Sequence, residues 1–101
     1  MAVWEIAEVR VAQGREDEFE STFRSLLPIL GNADGRLDVK LLRGMDKAGA
    51  FLILVEWQSV EHHTEVFRNS EAFSEFSEAL GSLLAAPPTP FHAIKVIDGV
   101  S

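Results

Sequence analysis

The chain has 101 residues, of which 47% are hydrophobic and 25% charged, and its formal net charge is -7. This length and composition predict one globular domain over residues 1–101. The negative charge argues against nucleic acids and anionic membranes as partners, because both would repel the protein. Since cysteine is absent and no apolar run is long enough to span a membrane, we expect a cytoplasmic protein.

The first half of the chain alternates between strand and helix patterns. Residues 3–11 switch between apolar and polar side chains with a period of two, which predicts a strand with Ala7 on its apolar face. A helix is expected next, because apolar side chains recur at helical spacing after a group of carboxylates. Its apolar stripe comprises Phe19, Phe23, Leu26, Leu27 and Leu30. Residues 37–41 alternate again and predict a half-buried edge strand with Leu37 facing inward.

Residues 51–57, Phe-Leu-Ile-Leu-Val-Glu-Trp, form a nearly continuous apolar run without glycine or proline. Alternation along a strand places Phe51 and Trp57 on one face, and Leu52 and Leu54 on the other. A strand that is apolar on both faces belongs in the interior of a sheet. Each face of that sheet therefore needs a cover.

Two helices and a last strand are predicted in the second half of the chain. Ser59 suits the start of a helix over residues 59–68. The inner side of that helix is expected to carry Val60, His63, Val66 and Phe67. Ser70 can begin the second helix, whose stripe comprises Phe73, Phe76, Leu80, Leu83 and Leu84. The prolines after that helix end it, and residues 91–97 are predicted to form the last strand.

The order β-α-β-β-α-β predicts an α+β, ferredoxin-like fold with a four-stranded antiparallel sheet and both helices on one face. We expect the first and third strands in the centre, running parallel to each other, because right-handed crossovers leave few alternatives. The other face of the sheet is expected to expose Leu52, Leu54, Ile94 and Val96. Since such an apolar face calls for a partner, we expect a two-fold homodimer that packs sheet against sheet.

Histidine and tryptophan side chains are the candidate chemical groups. His62 and His63 point about 100° apart on a helix and match no zinc-binding pattern, so no metal site is expected. His63 suits either a satisfied buried imidazole or an acid or base. His92 suits either a general base or a packing residue. Trp57 suits either a core anchor or the wall of a ligand pocket.

Six short segments, taken in their order along the chain, form a pattern that covers nearly the whole sequence. They are Arg10-Val-Ala-Gln-Gly14, Glu56-Trp-Gln-Ser59, His63, Phe67-Arg-Asn-Ser70, Phe73 and Ala85-Ala-Pro-Pro88. This layout resembles the antibiotic biosynthesis monooxygenase domain family. The resemblance implies a dimeric α+β barrel in which each subunit holds a pocket between its helices and its sheet.

Known members of that family include cofactor-independent oxygenases of polycyclic aromatics, quinol monooxygenases and heme-degrading enzymes. The heme-degrading branch uses an asparagine, a tryptophan and a histidine at positions that here read Ala7, Trp57 and Ser77. Heme degradation is therefore not expected unless His63 or His92 takes the place of that histidine. The histidines of quinol-type members fall near Phe67 and Ala72, so those are missing as well.

The resemblance implies a cofactor-independent monooxygenase that acts on a small aromatic or polycyclic phenol or quinol. The pocket residues expected on this basis are Trp57, Phe23, Phe67, Phe73 and Ser77. His63 or His92 is expected to remove the phenol proton, with Trp57 as a further catalytic residue and no cofactor. The alternative is a non-catalytic dimer of the same fold that binds a small ligand or has a structural role.

Overall fold

The computed structural model describes residues 2–99, which form a four-stranded sheet with helices packed on one face. In chain order the elements are β1 (Val3–Arg10), α1 (Glu16–Gly31), β2 (Arg36–Arg43), β3 (Ala50–Trp57), a π-helix (His62–Phe67), α2 (Glu71–Gly81) and β4 (Thr89–Ala93). The predicted α+β, ferredoxin-like fold is confirmed. None of the helices in this part of the chain has the length and apolar content that crossing a bilayer requires.

The strands lie in the order β2-β3-β1-β4, and every neighbouring pair is antiparallel. The central position of β1 and β3 is confirmed, but the prediction that they run parallel is wrong. The crossover through α1 makes β1 parallel to β2. The hairpin after β2 then reverses the chain before β3 inserts between them, so β3 opposes both of its neighbours.

β3 has the two apolar faces that its sequence predicts. Phe51, Val55 and Trp57 are at most 2% exposed on the face that the helices cover. Leu52 and Leu54 are half-buried on the opposite face. The rings of Phe19 in α1 and Phe51 lie 4.8 Å apart between centroids, which places the core between this face and the helices.

Two leucines predicted to face inward are exposed instead. The buried stripe of α1 consists of Phe19, Phe23, Leu26 and Leu30. Leu27 is 41% exposed, because one further residue turns the helix by about 100° and carries its side chain past the edge of that stripe. Leu37 is 45% exposed, because the pairing of β2 with β3 shifts register at this residue and leaves it in a bulge.

The segment after β3 forms a π-helix, not the α-helix predicted over residues 59–68. The Arg68 N–H donates to the carbonyl oxygen of His63, five residues earlier, at 3.0 Å. His63 and Phe67 face the core as predicted, with 3% and 5% exposure. Val66 does not, because each residue of a wider helix turns through a smaller angle, and its side chain is 45% exposed.

α2 begins as its sequence predicts. The Ser70 hydroxyl oxygen accepts a hydrogen bond from the Phe73 N–H at 3.1 Å, which satisfies one of the unpaired donors of the first turn. Leu80 and Leu83 on the apolar side of this segment are buried. Phe73 and Phe76 are only half-buried, because they face open space between α2 and the sheet.

β4 is shorter than predicted and covers Thr89–Ala93 where residues 91–97 were expected. Ala93 pairs with Trp4, and β1 begins only one residue before Trp4. Val3 is thus the last residue of β1 in this direction, so the residues beyond Ile94 have no strand to pair with. Ile94 and Val96, predicted on the outer face of the sheet, lie beyond it and are 51% and 84% exposed.

Candidate active site

A cavity of about 420 Å³ lies between the helices and the inner face of the sheet. Its aromatic lining consists of Phe19, Phe67, Phe73 and Phe76. Its polar lining consists of Glu5, His63, Arg68 and Ser77. A largely apolar cavity of this size with a few convergent polar groups is typical of a small-molecule site.

Glu5 is held at the wall of this cavity by two ring side chains. It lies on the inner face of β1, where strand pairing sets it opposite Val55 of β3 and His92 of β4. Its Oε1 accepts a hydrogen bond from the indole Nε1–H of Trp57 at 3.1 Å. The same oxygen lies 3.3 Å from Nε2 of His63, whose ring is stacked on Trp57 with 5.5 Å between centroids.

On its other side, the His63 ring contacts His92. Its Nδ1 lies 2.8 Å from Nε2 of His92, and the two rings meet edge to face. The indole N–H of Trp57 can only donate, so Glu5 Oε1 is an acceptor in this network. We therefore assign the proton of neutral His63 to Nε2, the nitrogen next to Glu5, and its Nδ1 accepts from His92. Glu5, His63 and His92 thus form one chain of polar contacts, in which the step from His63 to His92 is a hydrogen bond and the step from Glu5 to His63 is a contact at 3.3 Å.

Burial and charge set the protonation of this chain. Burial raises the pKa of the Glu5 carboxyl, although the hydrogen bond from Trp57 and the charge of Arg68 lower it in part. Burial, which is the largest cause, acts together with the neighbouring His92 and Arg68 to lower the pKa of His63 to about 4. His63 is therefore neutral near pH 7, as the hydrogen-bond assignment requires.

The structure brings most of the predicted site residues together. His63, Phe67, Phe73 and Ser77 line the cavity. Trp57 is fully buried behind His63 and reaches the cavity through its hydrogen bond to Glu5. His92 forms the next layer behind His63.

Phe23 lies elsewhere. It lines a separate cavity of about 270 Å³ between α1, β2 and β3, where Val39 and Leu41 form part of the wall. It is 3% exposed, and its ring contacts that of Phe76 edge to face at 5.9 Å between centroids. Phe23 therefore supports the aromatic wall of the larger cavity without lining it.

Glu5 and Arg68 are site residues that the sequence interpretation missed. The signal for Glu5 was present, because alternation along β1 places it on the same face as Ala7, which was predicted to be buried. A carboxylate on a buried face needs partners and is a candidate functional group. Arg68 had no such signal, since an α-helical pitch would turn it away from His63.

Within residues 2–99, no group of three or more histidine, cysteine or carboxylate side chains could hold a metal ion. Ala7 and Ser77, which stand where the heme-degrading branch has asparagine and histidine, both line the cavity. Both ring nitrogens of His63 are engaged, one with Glu5 and one with His92.

Comparison with known proteins identifies the family of this site. The sequence model of the antibiotic biosynthesis monooxygenase family matches residues 2–79. The uncharacterized protein YczJ of Bacillus subtilis (strain 168) is 36% identical over 90 residues, which cover 89% of this chain and 95% of YczJ.

Solved structures agree with that match. A crystal structure from Bordetella bronchiseptica, of a protein named for the same family, has a TM-score of 0.92 at 32% identity and covers 95% of this chain and 98% of its own. A variant of SnoaB, a cofactor-independent oxygenase from Streptomyces nogalater, has a TM-score of 0.83 at 18% identity and covers 99% of this chain and 98% of its own. At that identity the likeness to SnoaB shows the fold alone. The family match and the two relatives above 30% identity show that this chain belongs to the antibiotic biosynthesis monooxygenase family.

Proposed function

We propose that this protein is a cofactor-independent monooxygenase that oxidises a flat phenol, hydroquinone or anthrone with O2. The observation that carries the proposal is the Glu5–His63–His92 chain at the wall of a mainly apolar cavity. An electron-rich aromatic can react with O2 once it has lost a proton, so such a site needs a proton acceptor, an apolar pocket and little else. The likeness of this chain to SnoaB in fold supports the same class of reaction, an oxygenation without a cofactor.

The cavity suits an aromatic substrate of two or three rings. Its volume of about 420 Å³ lies in the lower part of the range of roughly 300–1,000 Å³ found for small-molecule sites. Phe67 and Phe73 meet edge to face at 5.5 Å and leave this space open between them and the sheet. These rings offer flat apolar surfaces to a planar ligand.

The reaction balances without a cofactor. The Glu5–His63–His92 chain accepts one proton from the substrate, and the resulting anion transfers electrons to O2 and binds it as a peroxide. The peroxide takes the proton back from the chain and becomes a hydroperoxide. Loss of water from the hydroperoxide leaves a new carbonyl group. One oxygen atom enters the product, and the other leaves in water with the two hydrogen atoms that the substrate lost.

Oxygen uptake with hydroquinones and anthrones tests this function. We expect the parent protein to consume O2, to convert an anthrone to the anthraquinone and to convert a hydroquinone to a hydroxyquinone, with one oxygen atom of O2 in each product. His92→Ala and Trp57→Phe should lower the rate at least about tenfold, because each weakens the chain that holds Glu5. Val66→Ala, an exposed position outside the cavity wall, is the matched control and should retain the parent rate. Equal rates for the parent and the two site variants would contradict the proposal.

A binding protein of the same fold would give a different result. It would bind the aromatic with a saturable change in tryptophan fluorescence, because Trp57 is stacked on a residue of the cavity wall. It would consume no O2 with any hydroquinone or anthrone. That pair of outcomes would favour the non-catalytic alternative.

We also propose that two copies of the chain pair through the outer face of the sheet, and we keep the cytoplasmic location as a prediction. Ile6 lies at the centre of that face, paired with Leu54 on one side and Phe91 on the other. Phe91 and Leu42 on this face are 57% and 48% exposed. A continuous apolar surface of this kind in a small protein favours a second subunit as its cover.

A further inference from the structure

We propose that Oε2 of Glu5 is the atom that accepts the proton from the substrate, so that Glu5 is the general base and Trp57 and His63 are positioning residues. This assignment rests on the proposed function. No histidine serves as the base in it, although the sequence favours His63 or His92.

The two oxygens of Glu5 have different surroundings. Oε1 is engaged by Trp57 Nε1–H at 3.1 Å and by His63 Nε2 at 3.3 Å. Within residues 2–99, Oε2 makes no hydrogen bond to the protein, and no fully buried side-chain nitrogen or oxygen lacks a partner. Oε2 is therefore not fully buried. Because the Glu5 side chain is 15% exposed and lines the cavity, its free oxygen is open to a ligand there.

The two histidines are less suited to accept the proton. Both ring nitrogens of His63 are committed, Nε2 to Glu5 and Nδ1 to His92. Burial also makes His63 a weak base, with a pKa of about 4. His92 contacts Nδ1 of His63 and is not among the residues that line the cavity. Of the three members of the chain, only Glu5 presents an unoccupied acceptor to the substrate.

The surroundings of Glu5 strengthen it as a base. A carboxylate in an apolar cavity holds a proton more tightly than one in water, and burial raises the pKa of Glu5 accordingly. The titratable or charged groups that face it are His63 from the π-helix, Arg68 just after it and His92 from β4. Arg68 lines the same cavity and supplies a positive charge near the anion that the substrate becomes.

The proton transfer balances as follows. A substrate O–H or acidic C–H bond breaks, Oε2 gains the proton, and the electron pair stays on the substrate. O2 adds to the resulting anion as a peroxide anion, and Oε2 returns the proton to it, which gives the neutral hydroperoxide. The hydroperoxide then loses its hydroxide together with the hydrogen on the same carbon, as water, and leaves a carbonyl group. Glu5 is then an ionised carboxylate again.

Hydrogen exchange without oxygen tests the base by itself. The parent protein is mixed with anthrone in D2O under nitrogen, and exchange of the acidic CH2 protons is followed by NMR. We expect Glu5→Gln to exchange at least about 100-fold more slowly than the parent, since general-base catalysis typically contributes factors of about 10²–10⁴. Glu78→Gln, the same change at an exposed position of α2, should match the parent. No catalysis by the parent, or equal catalysis by Glu5→Gln, would overturn the assignment.

Oxygen uptake separates this assignment from the proposed function. If proton exchange depends on Glu5 but no O2 is consumed, the proposed monooxygenase function is contradicted and the assignment of Glu5 as a general base is supported. When O2 is consumed, Glu5→Gln should lower kcat and leave KM nearly unchanged. The deficit should shrink with fluorinated hydroquinones, which are already ionised at the assay pH. A deficit that is independent of substrate acidity would overturn the assignment.

A further variant covers the case in which Glu5→Gln does not fold. Glu5→Asp keeps the carboxylate but withdraws it by one methylene, and near-ultraviolet circular dichroism of Trp57 reports whether its surroundings are intact. We expect folded Glu5→Asp to exchange anthrone protons at least about tenfold more slowly than the parent. Parent-like exchange by folded Glu5→Asp would count against a base held at a fixed position.

Discussion

At the scale of single residues, His63 shows how burial can fix a protonation state. It is 3% exposed, stacked on Trp57 and in polar contact at both ring nitrogens. A charged imidazole in this position would lose its hydration and lie near the positive charge of Arg68, so the neutral ring is favoured. The neutral ring instead donates at one nitrogen and accepts at the other, and this gives the chain from His92 to Glu5 its direction.

The lowered pKa of His63 predicts a loss of stability in acid. The unfolded chain binds a proton at this histidine below about pH 6.5, whereas the folded protein does so only near pH 4. The free energy of unfolding should therefore fall as the pH is lowered between these values, by up to about 3 kcal/mol. Glu5 has a raised pKa and acts in the opposite sense, since its contribution falls as the pH rises.

Urea unfolding at pH 7 and pH 4.5 measures this effect. His63→Gln replaces the ring by an amide that does not titrate, so its stability should change less between the two pH values than that of the parent. If the free energy of unfolding has the same pH dependence in the parent and in the variant, protonation of His63 is not the cause of the loss of stability in acid.

The residues of the site differ in how well the sequence predicts them. Trp57 and His63 follow from periodicity, because each falls on the apolar face of its element. Glu5 follows from the same alternation once a buried carboxylate is treated as a signal. The contact between His63 and His92 does not follow, since it joins residues 29 positions apart through the pitch of a π-helix and the register of an edge strand.

At the scale of elements, the turn between α1 and β2 depends on one glycine. Gly35 has φ of +82°, a conformation that side chains other than glycine rarely adopt. A Cβ at this position would lie 2.3 Å from the ring of His62, at the start of the π-helix. The Gly35 carbonyl also accepts a hydrogen bond from the Gln58 N–H at 2.8 Å. The turn therefore packs against the segment that carries the site.

Substitution of Gly35 tests this packing. Gly14 has nearly the same φ, +83°, but an added Cβ there meets nothing within 4 Å. Gly14→Ala should cost about 1–2 kcal/mol for the left-handed backbone alone. Gly35→Ala should cost clearly more, because the clash with His62 adds to that strain, and urea unfolding measures both. If both variants lose the same free energy of unfolding, the close approach to His62 adds no cost to the substitution of Gly35.

Element types were more predictable than element boundaries and pitch. The period of the apolar residues identifies β1, α1, β2, β3 and α2, since burial on one face of each imposes that period. The end of β4 depends on where β1 begins, which is a property of the pairing and not of residues 94–97. The π-helix depends on hydrogen bonds between residues five positions apart, such as that from Arg68 to His63, which the local sequence does not specify.

At the scale of the whole molecule, the sheet has one covered and one uncovered face. The helices bury the inner face and enclose the cavity, whereas the outer face presents Ile6, Leu52 and Leu54 only half-buried. The sequence predicts this division from β3 alone, because its two faces are both apolar. The predicted contributions of Ile94 and Val96 are wrong, and Phe91 and Leu42 supply exposed apolar surface in their place.

A charge placed on the outer face should separate the proposed dimer. We expect the parent protein to sediment with twice the mass of the chain at micromolar concentration. Leu54→Lys should sediment as a monomer, because two copies of the charge would be buried across a two-fold axis. Val66→Lys adds the same charge at an exposed position of the π-helix and should leave the parent mass unchanged. A parent of monomer mass would contradict the dimer.

The π-helix can be regarded as an α-helical turn that contains one residue more than it needs. Deleting one residue between His63 and Arg68 would restore an i→i+4 hydrogen bond and rotate everything on one side of the deletion by about 100°. Either His63 would leave Glu5 or Arg68 would leave the cavity wall. The two residues thus keep their places only as long as the number of residues between them is preserved. Among relatives of this protein, a change of length in this segment would mark a change of chemistry more surely than most substitutions within it.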